Sequence, residues 1–125
     1  MTPSTVLIDT HILLWLLSKS DRLKNIPWVH DFPHLTVSPV SLLEIKFLVE
    51  CGKIDLEFEE IVKRLKKDPS FDIDDISLDE VCSAAFTLSW TRDPFDRLLV
   101  AHSQARNIPL GTCDNLIKKN YSHTL

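Results

Sequence analysis

Short runs of aliphatic and β-branched residues alternate with longer amphipathic segments along this 125-residue chain. An apolar run of about four to eight residues between turn residues predicts a buried strand, whereas charges confined to one helical face predict a helix. Strands that alternate with helices build a parallel sheet covered by helices on both faces. The pattern therefore predicts an α/β fold, a three-layer α/β/α sandwich around a central parallel sheet.

The predicted elements follow one another without a linker or a change in composition, so we expect a single domain over residues 1–125. Strands are predicted at residues 5–8, 35–37, 71–76 and 108–112. Helices are predicted at residues 11–17, in a short stretch ending at 31, and at 38–51, 56–67, 79–88, 92–106 and 115–119. Because apolar and acidic residues alternate over 71–76, we expect Asp72, Asp74 and Asp75 to face solvent.

The composition is that of a globular protein. Hydrophobic residues make up 44% of the chain and charged residues 26%, too apolar for a disordered chain. The most apolar run, residues 12–17, is far shorter than the ~20 residues that a membrane span needs, and no basic segment precedes it. We therefore expect neither a membrane anchor nor a signal peptide.

The cysteines predict a reducing compartment. Cys51, Cys82 and Cys113 are odd in number and widely spaced, and no CxxC pair occurs. This spacing favours neither a disulfide framework nor a thiolate zinc site. We expect all three to be small buried apolar residues of a cytoplasmic protein.

Four acidic residues interrupt otherwise apolar stretches: Asp9, Glu44, Asp96 and Asp114, with Asp93 beside the third. A carboxylate among core side chains costs several kcal/mol unless its charge is compensated. Several carboxylates that converge on one place compensate each other most simply through a shared divalent cation, because hard cations such as Mg²⁺ prefer oxygen ligands.

Asp9 and Asp114 each follow a predicted strand. In open parallel sheets, ligands bind in the crevice beyond the carboxyl ends of the strands, so neighbouring strands would direct both carboxylates into one crevice. Asp9 is equally suited to cap the next helix, whereas Asp114 taken alone is better explained as a turn residue before the short helix at 115–119. For these two positions, the sequence leaves both interpretations open.

Glu44 is predicted to point inward. If its helix begins after Ser38 and Pro39, a good N-cap and first residue, Lys46 and Glu50 lie on the opposite side. The helical face that Glu44 shares then carries Val40, Phe47, Leu48 and Cys51. The alternative is a capping box between Ser41 and Glu44, if the helix begins three residues later.

Asp93 and Asp96 fall in the first turn of a predicted helix. Asp93 before Pro94 reads as an N-cap, and helix dipoles stabilise acids at these positions. Asp96 is different, because the residues three, four and seven positions on are Leu99, Val100 and Ser103, which place it near a buried face. Arg97 is an alternative charge partner for Asp96 in place of metal.

The net charge of −4 does not exclude a polyanionic partner. If the five acids form one site, removing them from the 18 acidic residues leaves 13, against 14 Lys and Arg. A bound divalent ion would then make the region less repulsive to phosphate.

These residues resemble a known family. The matching segments are VLIDTH at 6–11 with Trp15, SLLEI at 41–45, RDPFDRLL at 92–99 and TCD at 112–114. In order and spacing they are similar to PIN domains, and more narrowly to the VapC-type toxins of bacterial toxin–antitoxin pairs, over residues 5–121. Two positions depart from the pattern, Thr91 where histidine is common and Leu43 where tryptophan is common.

The resemblance implies a fold, a reaction and partners. The fold would be PIN-like, and the activity would be Mg²⁺- or Mn²⁺-dependent hydrolysis of RNA by an endoribonuclease. The partners would be an RNA substrate such as transfer RNA, a cognate antitoxin and a second copy of the chain. The implied catalytic and metal-binding residues are Asp9, Glu44, Asp96 and Asp114, with Asp93 as a fifth ligand and supporting hydroxyls from Thr10 and Thr112.

Two other functions stay open at this stage. A phosphoacceptor receiver domain also binds Mg²⁺ with strand-end acids, but it needs a lysine after a late strand, where this chain has Thr112, Cys113 and Asp114. A PIN-like interaction module without catalysis is the second alternative. The five histidines show no ligand spacing and are expected at the surface or half-buried, with only His11 close to a proposed ligand.

Overall fold

Four parallel strands form one sheet in the computed structural model of this protein, which describes residues 4–125. They are β1 (Thr5–Ile8), β2 (His34–Val37), β3 (Phe71–Ile73) and β4 (Leu110–Gly111), in the spatial order β3-β2-β1-β4. The first three residues of the domain expected at 1–125 lie outside the described residues.

Helices connect these strands. They are α1 (Thr10–Ser18), α2 (Pro39–Glu50), α3 (Phe58–Lys67), α4 (Leu78–Ala85), α5 (Pro94–Arg106) and α6 (Asn115–Asn120), with two short 3₁₀ helices at Asp21–Asn25 and Pro27–Asp31. The predicted order of strands and helices is confirmed over residues 4–125.

The sheet is covered on both faces. Val6 and Ile8 of β1 belong to one buried cluster, with side chains from α1, α2 and α3, whereas Leu7 between them belongs to a second cluster, with side chains from α4 and α5. All three are fully buried, as expected for a central parallel strand whose alternate side chains point to opposite faces. The predicted three-layer α/β/α fold is therefore confirmed.

The β1–β4 pairing determines what lies at the carboxyl edge of the sheet. Ile8 pairs with Gly111, and the Asp9 N–H donates to the Gly111 carbonyl oxygen at 3.0 Å. A side chain at Gly111 would overlap the Trp28 indole ring, so only glycine allows this close approach. The residues after Ile8 and Gly111 consequently leave the sheet side by side.

The last two strands are shorter than predicted. β3 ends at Ile73 rather than at residue 76, and β4 comprises two residues rather than the stretch 108–112. Pro109 has no N–H to contribute to a ladder. Just beyond β3, the Asp74 N–H still donates to the Val37 carbonyl oxygen at 2.9 Å, and the Asp74 side chain enters a polar cluster with α5.

This cluster contradicts the expectation that Asp74 faces solvent. Its carboxylate oxygen Oδ2 lies 2.6 Å from His102 Nε2, and Arg106 donates two hydrogen bonds to the same carboxylate at 2.8 Å. His102 is fully buried, so the expectation of surface or half-buried histidines is wrong for this residue. Asp72 and Asp75 are exposed, as predicted.

The cysteine prediction is also wrong, because Cys51 and Cys113 are exposed and Cys82 is half-buried. Gly52, with φ of 71°, ends α2 early enough to place Cys51 in a surface turn. Over residues 4–125, every helix is too short or too polar to cross a membrane.

The Asp74 cluster predicts pH-dependent stability. Burial acts to raise the pKa of Asp74, but hydrogen bonds from Arg106 and His102 outweigh it and lower the pKa from 3.8 to about 2. Ionised Asp74 therefore stabilises the fold above pH about 4, and this contribution is lost as the pH falls towards about 2. Asp74→Asn should lower the free energy of unfolding by about 2 kcal/mol at neutral pH.

Urea unfolding at several pH values measures this effect. Asp75→Asn is the matched control, because Asp75 also contacts Arg106 but its side chain is fully exposed, and it should leave the midpoint unchanged. Equal midpoints for Asp74→Asn and the unsubstituted protein at neutral pH would contradict the assignment.

Candidate metal centre

The carboxyl edge of the sheet is where all four parallel strands end and where α1, α2 and α6 follow β1, β2 and β4. Asp9 directly follows β1 and precedes α1, and Asp114 lies three residues after β4 and precedes α6. Because β1 and β4 are parallel neighbours, the two aspartates leave the same edge of the sheet. This arrangement was predicted for the case in which the two strands are adjacent.

Both strand-end aspartates also cap helices. Asp9 Oδ1 accepts a hydrogen bond from the Ile12 N–H at 2.9 Å, and Asp114 Oδ1 accepts one from the Ile117 N–H at 3.0 Å. Each cap occupies Oδ1 and leaves Oδ2 outside the capping bond. The structural and the functional interpretations are therefore compatible. The capping bond fixes the orientation of each carboxylate through Oδ1 and does not use Oδ2.

Asp93 has the capping role predicted for it. Its Oδ1 accepts from the Phe95 N–H at 2.9 Å and from the Asp96 N–H at 3.3 Å, at the start of α5. The side chain is exposed and does not line the cleft described below. Its negative charge nevertheless raises the pKa of both Glu44 and Asp96, and its role as a fifth ligand stays a prediction.

Glu44 is half-buried on α2, which begins where the sequence predicted. The Ser38 side chain caps α2 by accepting from the Val40 N–H at 3.1 Å, so the alternative capping box from Ser41 is excluded. The predicted inward face is partly wrong, because Phe47 and Cys51 are exposed. The buried residues of α2 are instead Ser41 and Ile45, and Glu44 lies between this buried face and the open cleft.

Asp96 lies half-buried in the first turn of α5, above the buried residues Leu99 and Val100, as predicted. The alternative partner Arg97 is engaged elsewhere. Its guanidinium donates to the carbonyl oxygens of Ala85 at 2.8 Å and Phe86 at 3.2 Å. Arg97 therefore joins α5 to α4 and does not neutralise Asp96.

Four of the predicted carboxylates line one cleft. Its volume is about 190 Å³, room for several water molecules. The residues that line it are Asp9, Thr10, His11, Trp15, Glu44, Asp96, Leu99, Cys113 and Asp114. Residues more than a hundred positions apart in the chain thus border a single cavity, as the sequence predicted for these acids.

Burial and mutual repulsion raise the pKa values of these acids. Burial is the largest cause for Asp96, followed by the charges of Asp93 and Asp114, and together with Glu44 and Asp9 they raise its pKa from 3.8 to about 7. Burial likewise raises the pKa of Asp9, although the Thr112 hydroxyl and the Ile12 N–H oppose it. Burial, with the charge of Asp93, also raises the pKa of Glu44.

The two predicted hydroxyls lie beside these carboxylates. Thr10 is buried, and its Oγ1 donates to Ser41 Oγ at 3.0 Å, which joins α1 to α2. Thr112 is buried, and its Oγ1 accepts from the Asp114 N–H at 3.0 Å. The hydroxyls therefore hold the backbone that carries the acids, and the Thr10 hydroxyl also lowers the pKa of Glu44.

The donor set suits a hard divalent cation. Among residues 4–125, none of the ion pairs includes Asp9, Glu44, Asp93, Asp96 or Asp114. In the same part of the chain, no three Asp, Glu, His or Cys side chains are spaced to bond one metal ion. In this arrangement the carboxylates therefore do not form a closed ligand shell. Their all-oxygen chemistry fits Mg²⁺ or Mn²⁺, with water completing the shell.

Sequence reasoning missed part of the cleft lining. Trp15, Leu99 and Cys113 were not predicted as site residues, and Ser41 was considered only as a possible cap. A signal was available for Trp15, which lies four residues after His11 on the same face of α1. Cys113 lies between Thr112 and Asp114, so the course of the chain alone brings it to the edge.

Comparisons with known proteins agree with this fold. The sequence pattern described as the PIN domain matches residues 6–121. The fold is similar to a chain of the solved structure titled "Toxin-antitoxin complex from Klebsiella pneumoniae", with a TM-score of 0.71 and 18% sequence identity over 96% of this chain and 95% of that chain. At such low sequence identity, the similarity establishes a shared fold and nothing about function. No curated protein matches the sequence closely enough to count as a relative.

The raised pKa of Asp96 predicts that the carboxylate destabilises the metal-free protein. Since the folded-state pKa of about 7 lies above the unfolded value, stability falls as the pH rises from about 4 to about 7. Asp96→Asn should remove this loss and raise the free energy of unfolding by about 2 kcal/mol or more at pH ~8.

Urea unfolding in EDTA at pH about 5 and about 8 brackets the titration. Asp55→Asn, at an exposed loop position, is the control and should have no effect at either pH. A destabilised Asp96→Asn protein at the higher pH would show that something other than carboxylate repulsion surrounds this residue.

Proposed function

Because this chain belongs to the PIN domain family, we propose that it is a Mg²⁺- or Mn²⁺-dependent endoribonuclease of VapC type, the toxin of a toxin–antitoxin pair. The observation that carries the proposal is the convergence of Asp9, Glu44, Asp96 and Asp114 on one cleft without a cationic partner among residues 4–125. A structural cluster of acids would be expected to recruit basic side chains.

The proposed reaction is hydrolysis of an RNA phosphodiester bond. Asp9, Glu44, Asp96 and Asp114 would hold the cation, with Asp93 as a further candidate at the rim. When bound, the cation would lower the pKa of a water molecule and neutralise charge on the phosphate. No side-chain nucleophile is needed for this chemistry, in which water attacks the phosphorus and the leaving oxygen departs in line.

The residues of this chain would orient and restrain the site. The helix caps hold Asp9 and Asp114 in one orientation each, which reduces the entropy lost when a ligand binds. The hydroxyls of Thr10 and Thr112 hold the backbone on either side. Near neutral pH, the carboxyl group of Asp96 retains a proton part of the time, and binding of a cation would release it.

The proposed substrate class is single-stranded or looped RNA. A cluster of carboxylates offers no hydrogen-bonding code for base edges, and an exposed loop gives the cleft access to its backbone. Structured RNA with such loops, transfer RNA among them, is the substrate that the family resemblance suggests. With such substrates, the cytoplasm is the proposed location of the activity.

The proposed protein partners are a cognate antitoxin and a second copy of the chain. The proposal of an antitoxin is supported by the similar fold of a chain in a toxin–antitoxin complex from Klebsiella pneumoniae. The proposal of a homodimer is supported by large exposed apolar side chains, Leu78 at 72% and Phe86 at 75% exposure, which a partner could cover.

Divalent cations should stabilise the protein. Binding to the folded state alone adds about 2.7 kcal/mol at a concentration a hundred times the dissociation constant. We expect Mg²⁺ and Mn²⁺ to raise the melting temperature of the unsubstituted protein and to have little effect on Asp9→Asn or Asp114→Asn. Asp72→Asn, an exposed strand residue, should respond like the unsubstituted protein. A cation effect of equal size in all four proteins would contradict the assigned ligands.

Removal of a ligand should abolish cleavage. We expect Asp9→Asn to cut the rate of RNA hydrolysis by at least about a hundredfold, since even residues that only orient metal ligands contribute ten- to hundredfold. EDTA should have the same effect on the unsubstituted protein, and Mn²⁺ or Mg²⁺ should restore its activity. The assay follows labelled transfer RNA and unstructured RNA by gel electrophoresis, with Asp72→Asn as the matched control.

Two results would overturn the nuclease proposal. Full activity of Asp9→Asn would place the reaction elsewhere or in a contaminant. A folded, cation-binding protein that cleaves neither RNA would favour the interaction module without catalysis. In cells, growth arrest by the unsubstituted chain but not by Asp9→Asn, relieved by the product of an adjacent reading frame, tests the toxin assignment separately.

A further inference from the structure

The cleft that holds the acids is bordered by an aromatic side chain that the proposed chemistry does not use, and an arginine lies against that side chain. Trp15 lines the cleft, and the guanidinium carbon of Arg22 lies 5.8 Å from the centroid of the Trp15 ring, within the range of a cation–π contact. We propose that Trp15 and Arg22 form a nucleotide-binding lip, in which an unpaired base stacks on Trp15 and Arg22 binds a backbone phosphate. This inference rests on the proposed function and specifies how the RNA substrate would be bound beside the acidic cleft.

Trp15 is held rigidly at this border. It lies on α1, which begins directly after Asp9, and it shares a face of α1 with His11, another residue of the cleft. The indole is half-buried and packs against the core cluster beneath the sheet. Packing therefore fixes the indole where it contributes to the lining of the cavity, with the Arg22 guanidinium over its ring. A stacking base would lie on the part of the ring that borders the cavity.

Arg22 is positioned but not neutralised. It lies on the 3₁₀ helix Asp21–Asn25, and its N–H donates to the side chain of the capping residue Ser20 at 3.2 Å. Its side chain is exposed and takes part in no ion pair among residues 4–125. The guanidinium donors remain available for a phosphate, which Arg binds with two parallel hydrogen bonds.

The acidic cleft makes such a lip necessary. An RNA backbone approaching four carboxylates meets repulsion until cations neutralise them, so the substrate needs attraction from groups beside the acids. A cation next to an aromatic ring supplies charge for the phosphate and a flat surface for the base. Bases inside a duplex cannot reach such a surface, which restricts the substrate to unpaired nucleotides.

Binding measurements separate the two contacts. The probes are a fluorescein-labelled oligouridine and an abasic ribose-phosphate oligomer of equal length, titrated with the full chain in Ca²⁺ and followed by fluorescence anisotropy. Trp15→Leu should weaken binding of oligouridine by about tenfold, because loss of one stacked base costs about 1–3 kcal/mol and 1.4 kcal/mol is tenfold. The same variant should bind the abasic oligomer as the unsubstituted protein does.

Arg22→Ala should weaken binding of both probes and lower the slope of log affinity against log salt by roughly 0.7, the value for one phosphate contact with a single strand. Lys24→Ala is the matched control, since Lys24 lies on the same 3₁₀ helix, is exposed and forms no ion pair among residues 4–125. It should change the affinity less than twofold. Trp15→Phe keeps an aromatic face and should retain most of the affinity for oligouridine.

Three results would overturn the inference. The first is equal affinity of Trp15→Leu and the unsubstituted protein for oligouridine, and the second is an equal loss in Trp15→Leu for both probes. The third is an equal effect of Arg22→Ala and Lys24→Ala, which would indicate general charge attraction. If Trp15→Leu unfolds, the affinities of Trp15→Phe and Arg22→Ala for the two probes still test the inference. Binding does not require cleavage, so an inactive protein with a working lip would refute the nuclease proposal alone.

Discussion

Uncompensated negative charge at the carboxyl edge of the sheet is the constraint on which this structure depends. Four carboxylates border one cleft, and the ion pairs of residues 4–125 provide none of them with a partner. The fold compensates in part with helix N-termini, because α1, α5 and α6 begin here with Asp9, Asp93 and Asp114 as their caps. For Asp9, the capping N–H of Ile12 acts to lower the pKa of the carboxyl group, although burial raises that pKa by more.

Outside the cleft, the carboxylate of Asp74 is also partly buried, but its negative charge is compensated by neighbouring side chains. Asp74 is hydrogen-bonded to Arg106 and His102, and its pKa falls to about 2, whereas the pKa of Asp96 rises to about 7. Burial opposes ionisation at both positions, so the difference comes from their neighbours, hydrogen-bonded Arg106 and His102 for Asp74 and carboxylates for Asp96. Asp74 joins β3 to α5 with its charge compensated, while Asp96 has no cationic partner among residues 4–125. This contrast supports the proposal that Asp96 serves a metal site.

Several local features could be read from the sequence because they depend on neighbouring residues. Ser38 and Pro39 determine where α2 begins, and Asp93 and Pro94 determine where α5 begins, since caps act within three residues. The wrong predictions concern residues whose environment depends on contacts with distant parts of the chain. Asp74 alternates with apolar residues as an exposed strand residue would, yet α5 brings His102 and Arg106 to it from about thirty positions away. Pattern alone contains no information about that partner.

The sequence by itself determined the order of strands and helices, the parallel sheet and the identity of the acids that follow its strands. These properties depend on periodicity, on capping and on the rule that parallel strands end at one edge. Only the tertiary structure decided which acids share a cleft, which acid is neutralised, and that Trp15 borders the cleft with Arg22 against its ring. Those outcomes depend on distances between residues far apart in the chain, which are set by how helices pack on the sheet.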